Sequence, residues 1–312
     1  MTLGVFADGV ENPANIDRIK DAARLLGATS TQAIAGHLIA VENSRGARPI
    51  YGRRPLHQQT TIAVGNERRG LSRRILELAD ETLAIPTSSR TVTTLNVAAA
   101  AAVAGYYVLR GSGAQARAAR PEHRRPALLI VGDDHIEVGS TLRSAAAFGF
   151  HDVLLDDRGA GWFEGTAAAR RAARAAARRH KNPLRIHRAG VRDAVRFEEI
   201  VLVRPWGTAP PLQRQRLIRG QRQLVVVGAT FDDLATIVGD RLRIATLALK
   251  EVERAPLRLV ASIVLAEIAR QVGRRRPTPG KPAPRPPTYE TALELASSTD
   301  MRLVDPEELI AF

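Results

Sequence analysis

The feature that most constrains this chain is an alternation that runs through it twice. Apolar runs of strand length ("LGVFA", "TTIAVG", "ALLIVG", "DVLLDD", "QLVVVG", "RIATLAL") alternate with segments whose apolar residues recur at helical spacing. Strand, helix and strand in succession is the unit of a parallel sheet covered by helices, so the pattern predicts an α/β fold with a mainly parallel sheet. In the first copy, "DGVENPANIDRIKDAARLLGA" gives a polar turn with Pro13 and Asn15, then a helix carrying Ile16, Ile19, Ala23 and Leu26 on one face. In the second, "GDDHIEVGSTLRSAAAFGF" repeats the turn, the helix and the closing glycine. Aligning Gly27 with Gly149 pairs Asn15 with Glu137 and Asp21 with Arg143. Strand, glycine and helix then follow in both copies at Gly65 and Gly228, with a strand-helix unit fewer in the first copy.

The segment "RGSGAQARAARPEHRRP" between the copies has no apolar periodicity and reads as a linker. We therefore divide the chain into a first half at 1–112, a linker at 113–126, a second half at 127–275, and a Pro-rich linker with a C-terminal tail at 276–312. The run "RRRPTPGKPAPRPP" should be extended, because Pro removes helix donors and restricts its neighbours.

At 312 residues the chain is long enough for two domains that each bury a core. Its formal net charge of +14, carried almost wholly by Arg, favours a polyanionic partner. The guanidinium fork matches phosphate oxygens two at a time and stacks on bases, which favours nucleic acid over an anionic membrane face. Having no cysteine, the chain has no disulfide, thiolate zinc site or iron-sulfur cluster, and its 7 histidines lack metal-ligand spacing, so no metal is expected. The N-terminus enters a strand with no readable secretory signal. The longest apolar run, residues 97 to 109, has 13 residues against the roughly 20 that a membrane span needs. A cytoplasmic protein that makes no membrane contact is the expectation.

The most specific stretches lie in the first half. They are "DGVENPAN", then "VGNERRGLS" after an apolar strand, then "IPTSSRTVTTLNV" leading into an alanine-rich helix. Gly65 allows a tight turn and close backbone approach, and Asn96 stands where a side chain caps the next helix. In that order the three stretches resemble the motifs of the SpoU/TrmH branch of the SPOUT RNA methyltransferases. The resemblance implies two SPOUT-like halves in tandem, each with a deep trefoil knot, forming an intramolecular pseudo-dimer. It also implies bound S-adenosylmethionine and methyl transfer to a ribose 2′-hydroxyl of ribosomal or transfer RNA. The residues it implicates for the cofactor are Val64, Gly65, Asn66, Glu67, Ile85, Thr87, Thr94 and Leu95, with Asn15, Glu67, Asn96 and Arg143 for catalysis.

The sequence departs from that family at informative places. Members carry an Arg six positions after the first-motif Asn, but six after Asn15 comes Asp21; the second half supplies Arg143 at the equivalent place. That half in turn has Ala229 and Thr230 in place of Asn and Glu, and Glu137 in place of the first-motif Asn. One composite site is the expectation, with cofactor loops from the first half and Arg143 from the second. Arg170, Arg174 and Arg178 share a face of a further Ala-rich helix expected at 167 to 185, spaced to track RNA phosphates. The competing reading is a catalytically silent RNA-binding or assembly protein on the same scaffold. A Rossmann dinucleotide enzyme fits poorly, because no strand leads into G-x-G-x-x-G.

Overall fold

The computed structural model describes residues 2–44, 46–51, 55, 58–66, 69–89, 94–111, 124–163 and 184–273. Glu67, Arg170, Arg174 and Arg178, most of the expected linker and the whole tail lie outside the described residues.

The first half runs β1 (Leu3–Asp8), α1 (Pro13–Leu26), β2 (Thr29–Thr31), β3 (His37–Val41), β4 (Arg48–Pro49), β5 (Thr60–Gly65), α2 (Arg73–Leu78), β6 (Glu81–Ala84) and α3 (Val97–Arg110). The second runs β7 (Ala127–Val131), α4 (His135–Ala147), β8 (Asp152–Asp156), β9 (Arg185–Arg188), β10 (Glu199–Arg204), β11 (Gln223–Val227), α5 (Phe231–Val238), β12 (Leu242–Thr246) and α6 (Leu257–Val272). Each half builds its own sheet, in the order β2-β1-β5-β3-β6-β4 and, read in the same sense, β9-β8-β7-β11-β10-β12. Every pairing between named strands is parallel. The fold is therefore mixed α/β with two parallel sheets of matching order.

The match extends to irregular parts. Asn12 and Asp134, equivalent in the repeat, both cap their helices by accepting backbone N–H bonds. In the first half β6 inserts between β3 and β4, two strands that precede it. In the second, β12 lies beside β10, while Pro211 bridges its outer side in parallel at Thr246, the counterpart of β4. The extra unit of the second half surfaces as edge strand β9, which begins at Arg185, so the helix expected over 167 to 185 does not include its last residue. At the C-terminal end of the expected linker, Arg125 reaches the Gly149 carbonyl and stacks on Phe150, 5.4 Å from the ring centroid.

The largest core is shared by the two halves. It joins side chains of β1, β5, α1 and α3 to side chains of α4, α6, β7 and β11, and smaller clusters cover the far face of each sheet. The apolar run 97–109 is thus a buried helix, and among the described residues no helix is long and apolar enough to cross a membrane. α3 packs on α1, α6 on α4, and α3 on α6. Gly105 permits the first contact, since a Cβ there would fall 2.4 Å from a Leu26 methyl. Where α3 meets α6, the Tyr107 hydroxyl donates to Glu267 at 2.8 Å. Both residues occupy the eleventh position of their helices.

Candidate active site

Open parallel sheets bind ligands beyond the carboxyl ends of their strands, and in the first half those ends carry the second motif. Asn66 and Gly70 close a short loop through two backbone bonds, Asn66 N to Gly70 O at 3.1 Å and Gly70 N to Asn66 O at 2.8 Å. The closure explains Gly65, where a Cβ would fall 2.2 Å from the Gly70 carbonyl carbon and 2.3 Å from the Leu71 nitrogen. The Asn66 side chain ties this loop to the first motif by donating to the Gly9 carbonyl at 2.9 Å. Two carboxylates at strand ends hold its far side: Asp8 accepts from the Ser72 amide at 2.6 Å, and Glu42 accepts from the Leu71 amide at 2.9 Å. Neither Asp8 nor Glu42 was singled out in the sequence, although both directly follow apolar runs. Gly65→Ala should destabilise the protein by about 1 to 3 kcal/mol, since two backbone segments must part to admit the methyl. A denaturant midpoint equal to wild type would show that the loop does not need this close approach.

The third motif follows β6. Val64 is 1% exposed, Ile85 and Leu95 are 9% exposed each, and Thr87 is half-buried beside them in sequence, whereas Thr94 is exposed. Asn96 caps α3 as expected, its side chain accepting from the Ala98 amide at 3.0 Å. Asn15 is fully buried on α1, and its side-chain oxygen accepts from Arg18 at 3.3 Å.

A second set of contacts connects this loop to the other half. The Ser88 and Ser89 amides both donate to the Ala147 carbonyl, at 2.9 and 3.1 Å, at the end of α4. Arg143 stands one turn earlier on the same helix and is half-buried. The reciprocal contact is also made: the Lys250 amide, in the loop after β12, donates to the Leu25 carbonyl on α1 at 2.9 Å, and Asp21 stands one turn before Leu25. The alignment of Asp21 with Arg143 therefore corresponds to equivalent places in space. Each half's loop meets the other half's first helix.

The second-half counterpart of the strand-end crevice is a cavity of about 730 Å³. It is bounded by the ends of β7, β10 and β11, by Ala229 and Thr230, by the loop before α6, and by Asp21 of the first half. Within it Arg258, 7% exposed, is ion-paired with Glu137 and reaches Asp21 at 3.5 Å. Burial, together with nearby Arg18, pushes the Arg258 guanidinium down to about 10, and Asp21 and Asp134 counter part of that push. Helix alignment puts Ala98 where the second half has Arg258. Asp21, which breaks the expected Arg pattern, thus serves this second cavity, where its counterpart charge is Arg258. Arg258 itself was missed in the sequence because its partners are 121 and 237 positions away.

Residues 14–106 match the model of the SpoU rRNA methylase family. A comparison with curated proteins finds no match. Among solved structures, the chain is similar to a protein of the TrmH family of RNA methyltransferases from Porphyromonas gingivalis, with 18% identity over 35% of this chain and a TM-score of 0.30. That similarity spans 59% of the other protein's length. The SpoU methyltransferase AviRb from Streptomyces viridochromogenes is 14% identical over 82% of this chain and 87% of its own, with a TM-score of 0.35. TrmJ from Z. mobilis is 22% identical over 51% of this chain and 72% of its own, with a TM-score of 0.31.

Proposed function

We propose, from the match of residues 14–106 to the SpoU rRNA methylase family, that this protein is an S-adenosylmethionine-dependent RNA 2′-O-ribose methyltransferase acting on ribosomal or transfer RNA. In this reading its two SPOUT-like halves form an intramolecular pseudo-dimer with one working composite site. The observation that carries it is the paired contact of Ser88 and Ser89 with Ala147 and of Lys250 with Leu25, which gives each crevice a helix from the opposite half. The insertion of β6 between β3 and β4 supports the knotted path expected for such a half.

The first-half residues suit the cofactor. Val64, Ile85 and Leu95 offer buried apolar surface, and Asn66 and Asn96 stand beside them. The equivalent strand ends of the second half enclose about 730 Å³, within the range of small-molecule sites. When bound, S-adenosylmethionine supplies an electrophilic methyl group. Backbone groups of Val64, Gly65 and of residues 85 to 87 would hold its adenine edge, and Asn66, Thr94, Leu95 and Asn96, with Glu67 from outside the described residues, would hold the rest. Arg143 meets the RNA phosphate beside the target nucleotide, and with that phosphate it helps draw the proton from the 2′-hydroxyl. Asn15, the buried first-motif residue on α1, would help to position the site. Arg170, Arg174 and Arg178 track phosphates farther along the RNA.

In the second cavity the same positions hold Asp21, Glu137 and Arg258. A carboxylate in the place of Arg143 repels a phosphate, so this cavity has no part in methyl transfer. Titration calorimetry with S-adenosylhomocysteine should accordingly find one site per chain. Two equivalent sites would overturn the division of labour, and no binding would favour the silent RNA-binding scaffold. Incubation with methyl-labelled cofactor and total RNA, followed by mapping of the labelled nucleotide, tests the activity itself.

A further inference from the structure

We propose that the two halves select each other through their side chains: the contact face of the first half fits the second half and rejects a second copy of itself. The inference rests on the pseudo-dimer reading and adds the source of its pairing specificity. At the centre of the contact, equivalent positions carry different residues, Tyr107 and Glu267, and these bond to each other at 2.8 Å. Glu267 is fully buried and is also held by Arg270 and Gln271. A pairing of two second halves in the same geometry would bring two buried Glu267 carboxylates together. A pairing of two first halves would set Tyr107 against Tyr107 and leave neither hydroxyl its carboxylate acceptor.

A separate place in the contact discriminates in the same direction. Asp21 of the first half meets Arg258 of the second. In a pairing of two first halves Asp21 would face the position of Ala98 and lose this cation. In a pairing of two second halves Arg143 would approach Arg258, which is 7% exposed and already paired with its own Glu137. Both like pairings thus forfeit contacts or oppose like charges in two places, and the unlike pairing satisfies both. Specificity built from penalties on the wrong partner as well as gains from the right one needs no covalent link to operate.

The test uses the full chain with a protease-cleavable sequence inserted within residues 112–123. One preparation is made at natural isotope abundance and one is labelled with nitrogen-15; both are cleaved after folding, mixed, allowed to exchange and weighed by native mass spectrometry. The expected result is pairs of one first half with one second half, including pairs of mixed label, with no pair of like halves. Like pairs at their statistical share, or separation of the pieces at micromolar concentration, would overturn the proposal. In the cleaved Tyr107→Glu variant, which imitates the two opposed carboxylates, association should weaken roughly tenfold or more. Adding Glu267→Tyr should recover it, and unchanged association of Tyr107→Glu would also overturn the proposal. Mass and affinity are read without cofactor or RNA, so failure here leaves the methyltransferase reading standing, and failure of methylation leaves this pairing standing.

Discussion

Arg143→Ala is expected to lose a factor of roughly 10² to 10⁴ in single-turnover methylation at saturating cofactor, the usual contribution of a positioned acid-base partner. The ribose hydroxyl is a poor nucleophile until its proton is drawn off, and Arg143 is the cation proposed to hold the phosphate that assists. Cofactor affinity should stay near wild type, because the lost interaction belongs to the transferring state and not to the bound cofactor. Asp21→Ala is the matched control. It occupies the equivalent place on α1 but faces Arg258 in the second cavity, so methylation should be almost unchanged. With a third of its side chain exposed, its ion pair should contribute at most about 1 kcal/mol to stability. Wild-type methylation by Arg143→Ala, or loss of methylation in Asp21→Ala alone, would reverse the assignment of the two cavities.

Much of this was legible in the sequence because repeats and caps are local. The alternation of apolar runs announced two α/β halves, and Gly27 and Gly149 fixed their alignment. That alignment paired Asp21 with Arg143, and the structure puts each one turn from a reciprocal loop contact; the equivalent caps Asn12 and Asp134 became visible only in the structure. Six strands were not among the runs named. β2 and β4 are only three and two residues long, whereas β3 and β10 carry the apolar runs "LIAV" and "IVLV" and could have been read. Apolar runs also cannot reveal strand order, so the insertion of β6 between β3 and β4 becomes visible only in space. The same holds for polar partners far apart in sequence. Asp8 and Glu42 look like strand-end carboxylates until they are seen accepting the Ser72 and Leu71 amides. Gly65 gains a reason beyond ligand approach, the backbone of residues 70 and 71 lying against it.

Glu267→Ala should be the most damaging single change to stability among the residues that join the halves, at about 3 to 5 kcal/mol, the cost of removing one member of a buried ion pair. Glu267 is fully buried, and Arg270, 6% exposed, donates to it through Nε at 2.9 Å and through a second nitrogen at 2.6 Å. Burial pulls the Arg270 guanidinium down, but its bond to Glu267 and that carboxylate's charge more than offset this, leaving it above its ordinary value. Burial, then the Glu267 charge, raises the Tyr107 phenol well above its ordinary range, so it remains a donor at any physiological pH. Removing the carboxylate would leave the buried Arg270 cation without its counter-charge. Tyr107→Phe removes only one neutral donor and leaves Glu267 with Arg270 and Gln271, so it should cost about 1 to 2 kcal/mol. The contrast separates charge from packing, because Tyr107→Phe keeps the ring and its edge contacts with Tyr51 and Tyr106. Urea denaturation of both variants, followed by near-ultraviolet circular dichroism, measures it. If Glu267→Ala costs no more than Tyr107→Phe, the Glu267–Arg270 pair within α6 adds nothing to stability beyond the Tyr107 bond that crosses from α3.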